Sequence, residues 1–191
     1  MSLLDHEAHA RGASLFVDDL PEPEGLLHAA VLASPEPHGR ITRLDASRAR
    51  AAPGVRDVIT AAEVPGENQI GALVADEPLL AAGEVAYRGE PLAIVAADTE
   101  GAAREALALI GVEIAPLPAV FDAREAYRLG HLVEAPRTLA LGDVGAAWVR
   151  CAVVAAGRAD TGGQEHFYLE TQAALAAPGE GGQVRVWSST Q

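Results

Sequence analysis

Apolar and polar positions alternate in short blocks along this chain, and the period changes from block to block. Ala102, Ala103, Ala106, Leu107 and Ile110 recur at helical spacing, with Glu100, Arg104 and Glu105 mostly on the other side. That pattern predicts a helix opened by Asp98 or Thr99. Further helical stretches are predicted at 46–52, 122–129 and 144–148, and a helical turn capped by Thr60 at 61–63. Period-two or continuous apolar runs predict strands at 26–33, 41–44, 55–59, 84–87, 92–97, 112–114 and 149–158. A hairpin is predicted from 171–177 and 183–189, joined through the turn residues Pro178, Gly179, Gly181 and Gly182. Residues 1–13 read as a polar lead-in. Strands of mixed spacing with two clear helices favour an α+β fold over a regular βαβ ladder.

One block stands apart. Gly162 and Gly163 precede the neutral amide of Gln164, after which residue types alternate. Gln164, His166, Tyr168 and Glu170 fall on one side, and Glu165, Phe167, Leu169 and Thr171 on the other. This is the spacing with which a strand aims one polar row at a site. On spacing alone, Gln164 reads as a residue that satisfies nearby backbone groups, and the rest of the row as hydrogen-bonded scaffold.

Composition narrows the chemistry. The 191 residues carry a formal net charge of −13, which argues against a nucleic-acid or anionic-membrane surface. Every one of the 14 basic residues is Arg. Without a lysine, neither a Schiff base nor the usual phosphate-cradling P-loop can form. The lone Cys151 cannot by itself hold an iron–sulfur cluster or a structural zinc. His6 and His9, near Glu7, read as surface residues rather than a metal site. With no long apolar run and no signal-like start, a cytoplasmic location is expected.

The string Gly162-Gly163-Gln164-Glu165-His166-Phe167-Tyr168-Leu169-Glu170 resembles the start of the molybdenum-binding region of molybdenum hydroxylases, in its xanthine dehydrogenase version. Earlier strings resemble the same family in the same order. They are Phe16-Val17-Asp18-Asp19, Leu27-His28, His38-Gly39-Arg40-Ile41, Ala52-Pro53-Gly54-Val55, Ile59 to Gly66, Asp76 to Ala81, and Gly89 to Val95. The resemblance implies an α/β hammerhead domain over 14–130, a connecting segment over 131–147, and the opening strands of a molybdopterin-binding domain over 148–191. It implies a molybdopterin cofactor that hydroxylates a carbon with oxygen from water. Electrons then pass through Fe–S clusters and FAD on partner chains or domains, usually to NAD. In the xanthine dehydrogenase branch the substrates are hypoxanthine and xanthine and the product urate.

By motif, Gln164 matches the glutamine that hydrogen-bonds an oxygen ligand of molybdenum from outside the metal's ligand set. Gly162 and Gly163 match positions where the backbone comes close to the cofactor. The family's later glycine-rich segment, its substrate-orienting Arg and its base glutamate have no counterpart before Gln191. These residues alone are therefore expected to hold no catalytic residue and no cofactor, and to be inactive. Their expected partners are the rest of the molybdopterin-binding domain, an Fe–S/FAD subunit and a purine. An uncovered edge at the hairpin is expected to invite self-association. Two alternatives stay open: a non-catalytic hammerhead scaffold, and an aldehyde or N-heterocycle oxidoreductase of the same family.

Overall fold

A computed structural model describes residues 3–72, 74–167 and 172–189. Helix α1 (Leu3–Arg11) occupies most of the stretch that reads as a polar lead-in, where the pattern predicts no helix. Its sequence lacks glycine and proline, and a Glu7–Arg11 ion pair at i, i+4 spacing supports it. Gly12 ends it with a positive φ of 66°. Then follow β1 (His28–Ala33), β2 (Gly39–Asp45), α2 (Ser47–Arg50), β3 (Val55–Thr60), β4 (Glu84–Val85), β5 (Pro91–Ala97), α3 (Glu100–Leu107) and β6 (Gly111–Pro116). The chain closes with α4 (Ala123–Leu129), α5 (Val144–Arg150), β7 (Ala174–Pro178) and β8 (Val184–Ser188). Mixed helix and sheet of this kind is the α+β class expected.

The chain divides into two compact units, Pro23–Pro136 and a second formed by Met1–Glu22 with Arg137–Gln191. In the first, two three-stranded antiparallel sheets are ordered β1-β5-β3 and β4-β2-β6. Strand β5 serves both sides of its sheet. Ala93, Val95 and Ala97 are buried against Ala103, Ala106 and Ile110, the apolar face of α3 and the residue just beyond it. Leu92 points the opposite way, into a second cluster with Ala81 and Val85 that Ile41 and Ile114 flank. Alternation along one strand thus feeds two cores. Helix α3 starts where Thr99 accepts the N–H of Ala102 on its hydroxyl at 3.1 Å.

Close approach matters at one glycine. A Cβ on Gly39 would meet the side chain of Ile114 and lie 2.9 Å from the carbonyl oxygen of Ala115. Glycine lets β2 and β6 pair there without displacement. Loop 64–83 is pinned from inside: Asn68 donates to the Leu80 carbonyl at 2.8 Å and accepts the Leu80 N–H at 3.0 Å.

In the second unit β7 and β8 form an antiparallel hairpin, pairing Leu175 with Trp187 and Ala176 with Val186. The strand expected over 149–158 is absent. Helix α5 runs on to Arg150, and residues 151–161 carry no regular structure. An apolar run becomes a strand only where another strand accepts its backbone bonds, and no described strand pairs with it.

Candidate functional site

The segment that carries the Gly-Gly-Gln string begins at α5. Asp143 caps that helix, accepting the N–H of Ala146 at 2.8 Å. Beyond Arg150 the backbone runs exposed through Gly157 and an Arg158–Asp160 ion pair of 2.8 Å. Residues 162–167 follow without secondary structure, all exposed. The predicted strand over 164–171 is therefore not formed at Gln164, Glu165, His166 or Phe167, for want of a pairing neighbour. Tyr168, Leu169, Glu170 and Thr171 lie outside the described residues. Phe167 takes a left-handed φ of 51°, a conformation that costs a bulky residue about 1 kcal/mol or more.

Gln164 is exposed and its carboxamide has no hydrogen-bond partner among the described residues. Gly162 and Gly163 have negative or extended φ, and nothing lies within 4 Å of where a Cβ would stand. Neither backbone conformation nor packing within the described chain requires glycine at either position. What the structure presents is a bare stretch of main chain followed by an unengaged neutral amide. Main chain without side chains beside an uncharged donor is chemically compatible with the close approach of a ligand.

The first unit contains a separate cavity of about 840 Å³, open to solvent. Its lining includes the apolar Ile41, Leu44 and Ala81 and the charged Arg43, Asp45, Arg50 and Glu63. These charges are committed to one another. Arg43 bonds Asp45 at 2.9 Å and Glu113 at 3.3 Å. Arg50 bonds Glu63 at 2.7 Å and the Val58 carbonyl at 2.6 Å. Glu63 also accepts the N–H and O–H of Thr60, at 2.8 and 2.5 Å. Charged lining groups paired with one another in this way read as structural. The Thr60-x-x-Glu63 spacing of a capping box carried that signal in the sequence.

The Thr60 hydroxyl, then Arg50, hold Glu63 down from 4.5 to about 2. Ser47, then Arg43, do the same for Asp45, from 3.8 to about 2. Lowered folded-state values mean stabilisation that is complete above the unfolded values and lost as pH falls toward 2. Stability of the first unit is thus expected to decline between about pH 4.5 and 2. Glu63→Gln, followed by chemical denaturation across that range, should flatten the slope. An unchanged slope would remove Glu63 from the account. At the N-terminus the ring of His9 bonds Ser14 at 2.7 Å, and Glu7 is engaged by Arg11.

Residues 11–118 match the family described as aldehyde oxidase and xanthine dehydrogenase, a/b hammerhead domain, and residues 129–191 match the molybdopterin cofactor-binding domain. The chain belongs to the aldehyde oxidase/xanthine dehydrogenase family of molybdenum hydroxylases. It is 35% identical over 184 residues to xanthine dehydrogenase of Oryza sativa subsp. japonica, covering 94% of this chain and 13% of that one. Aldehyde oxidase 3 of Rattus norvegicus is 36% identical over 185 residues, covering 96% of this chain and 14% of that one. Among solved structures, aldehyde oxidoreductase from Desulfovibrio gigas is similar with a TM-score of 0.83 at 28% identity, covering 96% of this chain and 22% of that one. Quinoline 2-oxidoreductase from Pseudomonas putida 86 gives 0.81 at 30% identity, covering 98% and 26%. The chain spans only about an eighth to a seventh of the length of these curated relatives.

Proposed function

We propose that this chain supplies the hammerhead domain and the first part of the cofactor-binding domain of a molybdenum hydroxylase acting on hypoxanthine or xanthine, in the cytoplasm. The observation that carries this reading is the unengaged Gln164 amide beside two glycines that the described chain itself does not need. When bound, molybdopterin-held molybdenum supplies hydroxylation with oxygen drawn from water. Gly162 and Gly163 would let main chain come close to that group with no side chain between. Gln164 would offer that group an uncharged N–H donor, which tunes it without adding charge. An amide and two glycines can neither activate water nor accept electrons. Substrate-holding groups, Fe–S clusters and FAD must come from partner domains or chains, and the 191 residues alone are expected to be inactive.

The test is to assemble the complete enzyme with its partners and assay hypoxanthine, xanthine, an aldehyde and an N-heterocycle while measuring molybdenum. Purine turnover with bound molybdenum supports the reading. Preference for the aldehyde moves the substrate to the other branch, which the similarity to aldehyde oxidase 3 makes the second reading. A well-folded assembly without molybdenum or turnover leaves only a scaffold.

The hairpin adds a physical expectation for the isolated chain. Ala174, Ala176, Val184 and Val186 share one face of β7–β8 and all four are exposed. That apolar face and its bare edges should pair with a second copy. Sedimentation should show mass rising with concentration, and Val186→Lys should return a monomer. A wild-type monomer at high concentration contradicts it.

A further inference from the structure

His38 sits at the entry to β2 with its side chain 32% exposed and both ring nitrogens occupied. Nδ1 lies 2.6 Å from the carbonyl oxygen of Pro118, just beyond β6. Nε2 lies 3.1 Å from Oε1 of Glu84, the first residue of β4. A carbonyl and an ionised carboxylate only accept hydrogen bonds. Neutral imidazole carries one N–H and satisfies one of them, whereas imidazolium satisfies both. The ring therefore bridges two separate parts of the domain fully in only one protonation state.

On the β4 side what it bridges is short, with the buried Val85 next in the chain. Strand β4 has two residues, paired only with Gly39 and Arg40 of β2. Next to that pairing the Ile41 N–H donates to the Gly83 carbonyl at 2.8 Å. Ile41 and Gly83 both line the cavity. Glu84 is the charged group acting on the ring from β4; Pro118 contributes a carbonyl dipole and no charge. Along β2, Arg40 stands in register with Glu84.

We propose that protonated His38 is a clasp that fastens β4, and with it the Gly83 wall of the cavity, to the start of β2, and that loss of the proton releases that wall. The neutral ring keeps Nδ1–H on Pro118, the shorter contact, and turns the Nε2 lone pair onto the Glu84 carboxylate. Lone pair and anion repel, so β4 is the side that lets go. The Pro118 carbonyl first, then Glu84, raise the ring's pKa above 6.5. A raised folded-state value places the contact fully below 6.5 and removes it as pH climbs through the folded value.

The experiment is an NMR titration of the 191-residue chain, with the His38 signals assigned by their loss in His38→Gln. The expected midpoint lies above 6.5, with both ring nitrogens protonated below it. Amide protection at Ile41, corrected for intrinsic base catalysis, should fall through the same midpoint. Leu117, whose N–H donates to the His38 carbonyl at 3.0 Å, should keep its protection. Glu84→Gln, at an exposed position, should bring the midpoint back toward 6.5 and make Ile41 protection independent of pH. A wild-type midpoint at or below 6.5, one that Glu84→Gln leaves unmoved, or flat Ile41 protection across it would overturn the clasp.

Discussion

Val95→Asp should remove a large share of the stability of the unit spanning Pro23–Pro136 and lower its melting transition sharply. Val95 is fully buried on β5, the central strand of its sheet, and packs in the same cluster as Ala103 and Ala106 of α3. Aspartate is close to valine in size, so the change tests charge and not volume. The residues that form that cluster are all apolar. Protonation would spare the charge but leave a buried acid without partners. The cost is about 3–5 kcal/mol, set against a domain stability of about 5–15 kcal/mol. Val95→Ala removes two methyl groups and should cost about 2 kcal/mol, keeping a transition at lower temperature. Circular dichroism melts of both variants decide the matter. A Val95→Asp protein that melts like wild type would mean that β5 is not the buried centre of the fold.

Gln164→Ala should do the reverse: leave stability alone and damage activity. The side chain is exposed and bonded to no described residue, so the melting transition of the chain should stay within about ±0.5 kcal/mol. In the assembled enzyme, losing a group that orients a metal's ligand sphere typically costs about 10–100-fold in activity or affinity. That corresponds to about 1.4–2.7 kcal/mol. Gln164→Glu should not rescue it, because a carboxylate accepts where the amide donates and adds a charge. Gly163→Val probes the backbone approach separately. With nothing within 4 Å of the added Cβ, the isolated chain should tolerate it, whereas molybdenum content of the assembled enzyme should fall. Full turnover by Gln164→Ala at normal molybdenum content would mean that the amide is scaffold and nothing more.

The sequence makes legible those elements that carry their own signals. Helix α3 has both an apolar face and a Thr99 cap, and α4 has Asp122 accepting the Glu125 N–H at 2.8 Å. The β7–β8 hairpin is marked by the glycines and proline of its turn. Elements that depend on distant partners are not legible in this way. The run at 149–158 has a strand's composition but finds no described neighbour, and helix α1 takes up a stretch too polar to show an apolar face. The same holds for chemistry. Gln164 stands out because its string is short and contiguous. The two acceptors of His38 come from 46 and 80 residues away, a relation that no local period encodes.

The most direct test of the central claim is a crystal structure of the molybdenum-loaded complete enzyme containing this chain. The Gln164 carboxamide nitrogen should lie within about 3.2 Å of an atom bound to molybdenum, with Gly162 and Gly163 main chain against the pterin. A Gln164 side chain turned into solvent or bonded within the protein, away from the metal, would contradict it.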